Sequence, residues 1–219
     1  APTTNDHVWG FWSDPILASA QQLARATWQK WAIITHNDCA VLSSETRPYN
    51  AFKRSDWSEH CKGLAELSKV TIIAEHEWEK SADSLLFDTR PPVVPNDCML
   101  QHFQGIEVKT KQPCFDKDMA ILMDFRVDQS KGMHFIYLLP YSATEALVES
   151  TLFSTELVDE EFYSTSIESY LKEHCKVEEF SITHQEKGVI PLGKLAPHDA
   201  KIPGLGSNAG ATRPASGYA

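Results

Sequence analysis

Residues 119–153, MAILMDFRVDQSKGMHFIYLLPYSATEALVESTLF, decide the fold of this chain. They contain three apolar runs of strand length, at 119–127, 133–139 and 146–153. The segments between the runs, 130–132 and 141–144, carry the Ser, Thr and Gly that are typical of turns. Apolar runs joined by such short connections pair side by side in antiparallel order. The stretch therefore predicts a three-stranded antiparallel meander.

The flanking segments extend this β-rich region. An apolar run from Cys98 to Lys109 predicts one more strand before the meander, and 177–190 contains another after it. Between them, Asp159 is placed to cap a helix over 159–175. One face of that helix is apolar and carries Tyr163, Ile167, Tyr170, Leu171 and His174. The other face is acidic, and we interpret it as a solvated surface because no metal-binding spacing occurs there.

The N-terminal part is predicted to mix helices and strands. Asp14 as N-cap, Pro15 in the first turn and apolar residues at helical spacing predict a helix over 14–31. A second helix is predicted over 55–67, followed by short strands at 69–75 and 84–87. Together with the meander, this order of elements indicates a mixed α/β (α+β) fold.

Composition narrows the classes of function. The 219 residues carry a formal net charge of −10 and are 42% hydrophobic, which indicates a globular chain and argues against a nucleic-acid partner. No apolar segment reaches the ~20 residues that a membrane-spanning helix needs. Cys and His lack the spacing of a disulfide framework or a metal site, so we expect no metal and a reducing, cytoplasmic compartment.

Glu149 is the first candidate for chemistry. The alternation of its strand places Leu147, Glu149, Thr151 and Phe153 on one face. Apolar neighbours disfavour the charged form of a carboxyl group, so the pKa of Glu149 should rise, which suits a general acid. The alternative interpretation is a glutamate at the edge of the sheet, in water.

Three more charged residues are ambiguous by sequence alone. Asp124 and Arg126 share a strand face, and we favour a structural ion pair between them. Glu186 precedes Gly188 and Pro191 near an expected turn, where most carboxylates are simply solvated.

The C-terminal segment, 204–219, is rich in Gly and small residues. Such a loop lets backbone N–H groups approach a ligand closely, and an anion is favoured where a helix follows. The alternative is a flexible end.

The order of six motifs resembles that of bacterial lycopene β-cyclases. The motifs are QHFQG at 101–105, LMDFR at 122–126, FIYLLP at 135–140, LVEST at 147–151, EKGVIP at 186–191 and GATRPASGY at 210–218. A Trp-rich segment at 7–12 and an Asp-x-Arg turn at 88–90 resemble further parts of that family. The resemblance covers nearly the whole chain.

The resemblance implies an FAD-binding flavoprotein of the p-hydroxybenzoate-hydroxylase-like fold, here incomplete. Residues 1–97 would belong to the FAD-binding domain, 98–190 to an antiparallel substrate-binding sheet with its helix, and 191–219 would return to the FAD-binding domain. It also implies reduced FAD, NAD(P)H as the reductant, lycopene or a related linear carotenoid as the substrate, and peripheral association with a membrane surface.

The resemblance also implies roles for individual residues. Glu149 matches the acid/base of cyclisation, while Asp124, Arg126 and Glu186 match residues that shape or assist the site. The implied cofactor-binding residues are Asp88, Arg90, Gly206, Gly210, Arg213, Pro214 and Gly217.

Two departures from the family pattern qualify this interpretation. No Gly-x-Gly-x-x-Gly turn for the FAD pyrophosphate is present, and the chain stops within its flavin-contacting motif. We therefore expect an internal fragment that by itself binds FAD poorly and has no cyclase activity. The alternatives are a flavin monooxygenase or geranylgeranyl-type reductase on the same fold, and a non-catalytic binding module.

Overall fold

The computed structural model describes residues 6–73, 84–90, 93–193, 195–197, 199 and 201–213. Its ten strands are β1 (Val8–Trp12), β2 (Ala26–Trp28), β3 (Lys30–Ile34), β4 (Cys39–Ser43), β5 (Tyr49–Lys53), β6 (Leu100–Thr110), β7 (Met119–Asp124), β8 (Met133–Pro140), β9 (Glu145–Ser154) and β10 (Phe180–Pro191). Its α-helices are α1 (Ala18–Gln22), α2 (Arg54–Leu67) and α3 (Glu160–His174).

Seven strands form the main sheet, in the order β10-β6-β9-β8-β7-β3-β4. The predicted meander is confirmed, because β7 pairs antiparallel with β8 and β8 with β9. The strands predicted before and after the meander, β6 and β10, extend the sheet beyond β9. On the other side β3 joins β7 in parallel. A smaller sheet has the order β1-β5-β2.

The main sheet buries a different set of side chains on each face. On the α3 face, Ile167 and Leu171 of α3 pack with Ile136 and Val148 of the sheet. On the opposite face, which we call the β5 face, Tyr49 and other small-sheet residues pack with the sheet. Alternation along each strand therefore decides which core a residue joins.

Helix α3 begins and ends close to the predicted bounds. Asp159 stands at the N-cap position, although its side chain makes no capping hydrogen bond. Two glutamates in the first turn, and Lys172 and His174 in the last, match the helix dipole. Four of the five residues on the predicted face, Tyr163, Ile167, Tyr170 and Leu171, are buried, and His174 at the end of the helix is half-buried.

The predicted helix over 14–31 is wrong beyond its first turns. Asp14 does cap a short 3-10 turn, since its side chain accepts a hydrogen bond from the Ile16 N–H at 3.1 Å. Helix α1 then ends at Gln22, and the chain enters β2 and β3. Trp28 explains the change, because its indole N–H donates to the Pro140 carbonyl at 3.1 Å and its ring is buried. Tertiary packing here outweighs helical spacing.

Two short strands predicted by sequence are also wrong where they are described. Residues 69–73 and 84–87 form no strand, and residues 74–75 lie outside the described residues. Val70, Ile72 and Leu85 are exposed, and the Val70 N–H donates to the Ala65 carbonyl at 2.8 Å in the turn that ends α2. The helix at 55–67 is confirmed as α2, yet none of its residues is buried.

Candidate active site

Two buried carboxyl groups converge on the β5 face across a glycine. Gly105 of β6 lies opposite Glu149 of β9 on one side and opposite Glu186 of β10 on the other. A Cβ built on Gly105 would lie 3.1 Å from Glu186 Cγ and 3.4 Å from Glu149 Cβ. The missing side chain therefore leaves the space in which the two glutamates approach each other.

Glu149 lies within the sheet, and its side chain is almost covered. Only 9% of the surface of Glu149 is accessible to solvent. The Thr151 hydroxyl donates a hydrogen bond to Glu149 Oε1 at 2.6 Å. Burial raises the pKa of Glu149 despite opposing effects of Thr151 and Glu186. The alternative of an edge residue in water is therefore wrong, and the raised pKa agrees with a general acid.

Glu186 is buried more deeply than Glu149, with 1% of its surface exposed. The Val8 N–H donates to Glu186 Oε2 at 2.8 Å, and His184 Nε2 lies 3.6 Å from the same oxygen. Its other oxygen, Oε1, has no hydrogen-bond partner among the described residues. Burial and then the charge of Glu149 raise the pKa of Glu186. The solvated turn expected for this residue is wrong, because β10 continues through it to Pro191.

A third carboxyl group on the same face has its own cation. Glu107 accepts a hydrogen bond from Arg25 at 2.5 Å, and the Arg25 guanidinium lies 3.8 Å from the centre of the Tyr141 ring. Burial and the neighbouring carboxylates raise the pKa of Tyr141. The hydroxyl of Tyr141 is buried, and no described atom forms a hydrogen bond with it. The face thus combines three carboxyl groups with one guanidinium.

Asp124 and Arg126 lie apart from this site, on the α3 side of the sheet. Arg126 donates to Asp124 through Nε at 2.9 Å and through Nη2 at 2.6 Å, and the Tyr170 hydroxyl donates at 2.9 Å. Burial alone would raise the pKa of Asp124, but the Arg126 and Tyr170 hydrogen bonds outweigh it and the pKa is lowered. The favoured structural ion pair is confirmed. The sheet separates this pair from Glu149 and Glu186.

An open groove of about 860 Å³ lies on that same side. Its lining includes Arg126, Phe162 and Tyr170, and it includes neither Glu149 nor Glu186. The groove is therefore no part of the two-carboxyl site.

The predicted Asp-x-Arg turn and the glycine loop lie against each other. Asp88 donates its N–H to the Pro203 carbonyl at 2.9 Å, and Leu205 N–H donates to the Asp88 carbonyl at 2.9 Å. Arg90 holds the Asp88 carboxylate through Nε at 3.0 Å and Nη2 at 2.8 Å. Two of the predicted cofactor-binding residues are thus brought to the edge of the loop.

The glycine loop presents an open backbone. A short 3-10 turn spans Gly206–Ala209, and Gly206 and Gly210 have φ values of 63° and 76°, the left-handed region that favours glycine. A Cβ at either position would meet no described atom within 4 Å, and Arg213 is exposed beside them. This geometry fits the close approach of a bulky ligand. Pro214 and Gly217 lie outside the described residues.

Sequence reasoning missed Gly105, Glu107 and Arg25 as neighbours of the acid. A glycine inside an apolar strand was the available signal, since such a position often marks a close approach of other groups. The pairing register that places it between two glutamates is a long-range property.

Comparison with known proteins places these features in a family context. A family model described as "Lycopene cyclase protein" matches residues 1–219. A lycopene beta-cyclase from Paracoccus sp. (strain N81106 / MBIC 01143) is 32% identical over 127 residues, which cover 54% of this chain and 32% of that protein. The chloroplastic/chromoplastic lycopene beta cyclase of Narcissus pseudonarcissus is 25% identical, covering 88% of this chain and 45% of that protein. The chain thus spans between about a third and a half of the length of these relatives.

Solved structures confirm the predicted fold class. A geranylgeranyl bacteriochlorophyll reductase-like protein from Thermoplasma acidophilum matches with a TM-score of 0.68 and 12% identity, covering 95% of this chain and 62% of that chain. A flavin-dependent brominase matches with a TM-score of 0.54 and 10% identity, covering 88% and 58%. The mixed α/β architecture is therefore shared with these two proteins.

Proposed function

The chain belongs to the lycopene cyclase protein family, and from this premise we propose that it takes part in closing the linear ends of lycopene, or of a related linear carotenoid, into β-ionone rings. The observation that supports this proposal most directly is the buried Glu149 carboxyl group. Burial raises its pKa to about 7, so part of the Glu149 population carries a proton at neutral pH in a site sheltered from water.

The proposed reaction is a proton-driven cyclisation without net oxidation. Glu149 gives its proton to a terminal alkene carbon, and the π electrons of that alkene form the new C–H bond. The resulting carbocation is attacked by an internal double bond, which forms the ring C–C bond. A different proton then leaves a neighbouring ring carbon, and its bonding electrons become the ring double bond.

Aromatic side chains of the β5 face would stabilise the cation. Tyr137 lies opposite Glu149 in the β8–β9 pairing. The ring of Phe135 is 5.2 Å from that of Tyr137 and 5.8 Å from that of Phe153, between ring centres. The negative faces of such rings attract a cation where water is excluded.

The glycine loop is the proposed contact with FAD, the cofactor implied by the family. The open backbone over Gly206 and Gly210 fits the group, with Arg213 and the Asp88–Arg90 turn beside it. When bound, reduced FAD would supply a fixed negative charge for a cationic transition state, and NAD(P)H would supply its electrons. In the full-length protein we expect Gly210→Val to weaken FAD binding at least tenfold by flavin fluorescence, because the left-handed backbone at this position excludes a branched side chain. Gly63→Ala is the control, and equal affinity of the two variants would contradict this role.

The role of Glu149 is tested in the full-length protein, expressed in cells that accumulate lycopene. Glu149→Gln should reduce cyclic product by about 10²-fold or more, the usual contribution of a general acid. Glu178→Gln, at an exposed position, is the matched control. Undiminished cyclisation by the Glu149 variant would refute the proposal, and a saturated linear product from the wild type would favour a reductase instead.

We also propose contact with a membrane surface on the cytoplasmic side, because the proposed substrate is an apolar polyene. None of the helices that the structure describes has the length and hydrophobicity required to span a bilayer. Exposed aliphatic side chains do gather at the end of α2 and after it: Leu64, Leu67, Val70, Ile72 and Ile73. Cosedimentation with lipid vesicles should fall when Leu67 and Ile72 are both changed to Ser, and unchanged cosedimentation would count against this surface.

A further inference from the structure

We propose that Glu149 and Glu186 act as a pair that holds one proton, with Glu186 as the positioning residue and Gly105 as the residue that allows the two carboxyl groups to meet. This inference rests on the proposed cyclisation and deepens it. It concerns how the acid is held and how its negative charge is used.

The first support is the row formed by three adjacent strands. Glu186, Gly105 and Glu149 occupy consecutive positions across β10, β6 and β9. Strand neighbours lie about 4.8 Å apart, so two glutamates on either side of a central strand are about 10 Å apart at the backbone. Any side chain at Gly105 would stand between them, and the Cβ distances of 3.1 and 3.4 Å show that the space is already used.

The second support is the hydrogen bonding of the two groups. Glu149 Oε1 accepts from the Thr151 hydroxyl, and Glu186 Oε2 accepts from the Val8 N–H. Each carboxyl group is therefore held by one donor of its own. Glu186 Oε1 remains buried without a described partner, which is a costly arrangement unless a proton or a bound group satisfies it.

The third support is the charge around the pair. The titratable and charged groups that face it, directly or through one neighbour, are Asp6, His7, Arg25, Lys53, Arg54, Glu107, Tyr137, Tyr141 and His184. Arg25 is matched to Glu107 at 2.5 Å. His184 lies 3.6 Å from Glu186 and donates to the Asp6 carbonyl. Two buried carboxylates this close repel each other, so a shared proton is the stable state.

The fourth support is the unequal exposure of the two groups. The solvent-exposed fraction is 9% for Glu149 and 1% for Glu186. Glu149 is thus the outer carboxyl group, which meets the substrate, and Glu186 is the inner one. Burial and the charge of Glu149 outweigh the Val8 hydrogen bond, so the single proton rests on Glu186 and reaches the substrate through Glu149.

With this pair, the net charge of the site stays constant through the proposed cyclisation. Before reaction the pair holds one proton and one negative charge. Proton transfer to the alkene produces a second carboxylate and one carbocation. The net charge of the site therefore stays at −1. After ring closure, Glu149 takes the proton that leaves the ring carbon, and the starting state returns. No electron is gained or lost.

The test uses infrared titration of the protonated carboxyl band in the full-length protein. Glu149→Gln should lower the titration midpoint of Glu186 by about one pH unit or more, because the repelling charge of Glu149 is gone. Glu186→Gln should raise that of Glu149, because Glu186 favours the charged form of Glu149. An unchanged Glu186 midpoint in the Glu149 variant would overturn the pair.

Activity gives the second readout. In Glu186→Gln we expect the pH profile of kcat to move to higher pH, because Glu186 lowers the pKa of Glu149, while KM changes less than twofold, and Glu186→Asp should restore part of the profile. Gly105→Ala should reproduce the shift by parting the carboxyl groups, whereas Gly63→Ala, in open space on α2, should not. Retained circular dichroism shows that each variant is folded.

The two proposals fail separately. Coupled carboxyl titration in a protein that makes no cyclic carotenoid would refute the cyclase proposal and leave the pair intact. Cyclisation that depends on Glu149 but not on Glu186, with independent titrations, would refute the pair alone.

Discussion

Burial of Glu149 and Glu186 has a cost that depends on pH. Both carboxyl groups have raised pKa values in the folded state, chiefly because burial disfavours their charged forms. In the unfolded chain they ionise near the ordinary value of 4.5. The unfolded state therefore gains stability relative to the folded state as the pH rises above that value. The pair destabilises the folded protein least at acidic pH.

Glu149→Gln should accordingly stabilise the folded chain at neutral pH. One unit of pKa shift corresponds to about 1.4 kcal/mol, and we expect a gain of roughly 1–3 kcal/mol at pH 7 that vanishes near pH 4. Urea unfolding at both pH values measures it. Glu178→Gln should show no such dependence, and a destabilised Glu149 variant at pH 7 would contradict the expected sign.

Residue chemistry was predictable where it depends on near neighbours in sequence. Strand alternation predicted the shared face and raised pKa of Glu149, and a two-residue spacing predicted the Asp124–Arg126 pair. Glu186 and Gly105 could not be understood in this way, because their environment comes from three strands that are distant in sequence.

At the scale of elements, α3 and the sheet are joined by a buried polar contact. The Tyr170 hydroxyl donates to Asp124 on the face away from Glu149. Tyr170→Phe should cost about 1–3 kcal/mol of stability in urea unfolding, since a buried charged group loses a hydrogen bond. Cyclisation per folded molecule should change little.

Asp124→Asn extends that comparison. It leaves Arg126 without its charged partner and should destabilise the chain by about 3–5 kcal/mol. A loss of turnover in a variant that remains folded would instead support the catalytic role that the family resemblance implies for Asp124.

Elements were predictable when their spacing and their packing agreed. The meander and α3 met both conditions, so their bounds were close to correct. The stretch 26–34 has helical spacing of its tryptophans, yet those rings pack into the β5 face, and pairing with β5 and β7 makes it two strands. Local pattern and long-range packing disagree there, and packing prevails.

At the scale of the whole molecule, the fold class and family were predictable because many motifs occur in a fixed order. The structure of residues 69–73 and 84–87, where the sequence predicts strands, was not predictable. Their exposed aliphatic side chains have no described partner strand, and sequence periodicity cannot supply one.

The parallel contact between β3 and β7 bears on how the chain folds. It joins residues 30–34 to residues 119–124, so a loop of more than eighty residues closes before the sheet is complete. During synthesis, β3 leaves the ribosome long before its partner strand exists. The β7-facing edge of β3 therefore stays unpaired until β7 is made, and slow folding with a transiently unpaired edge is the expected result.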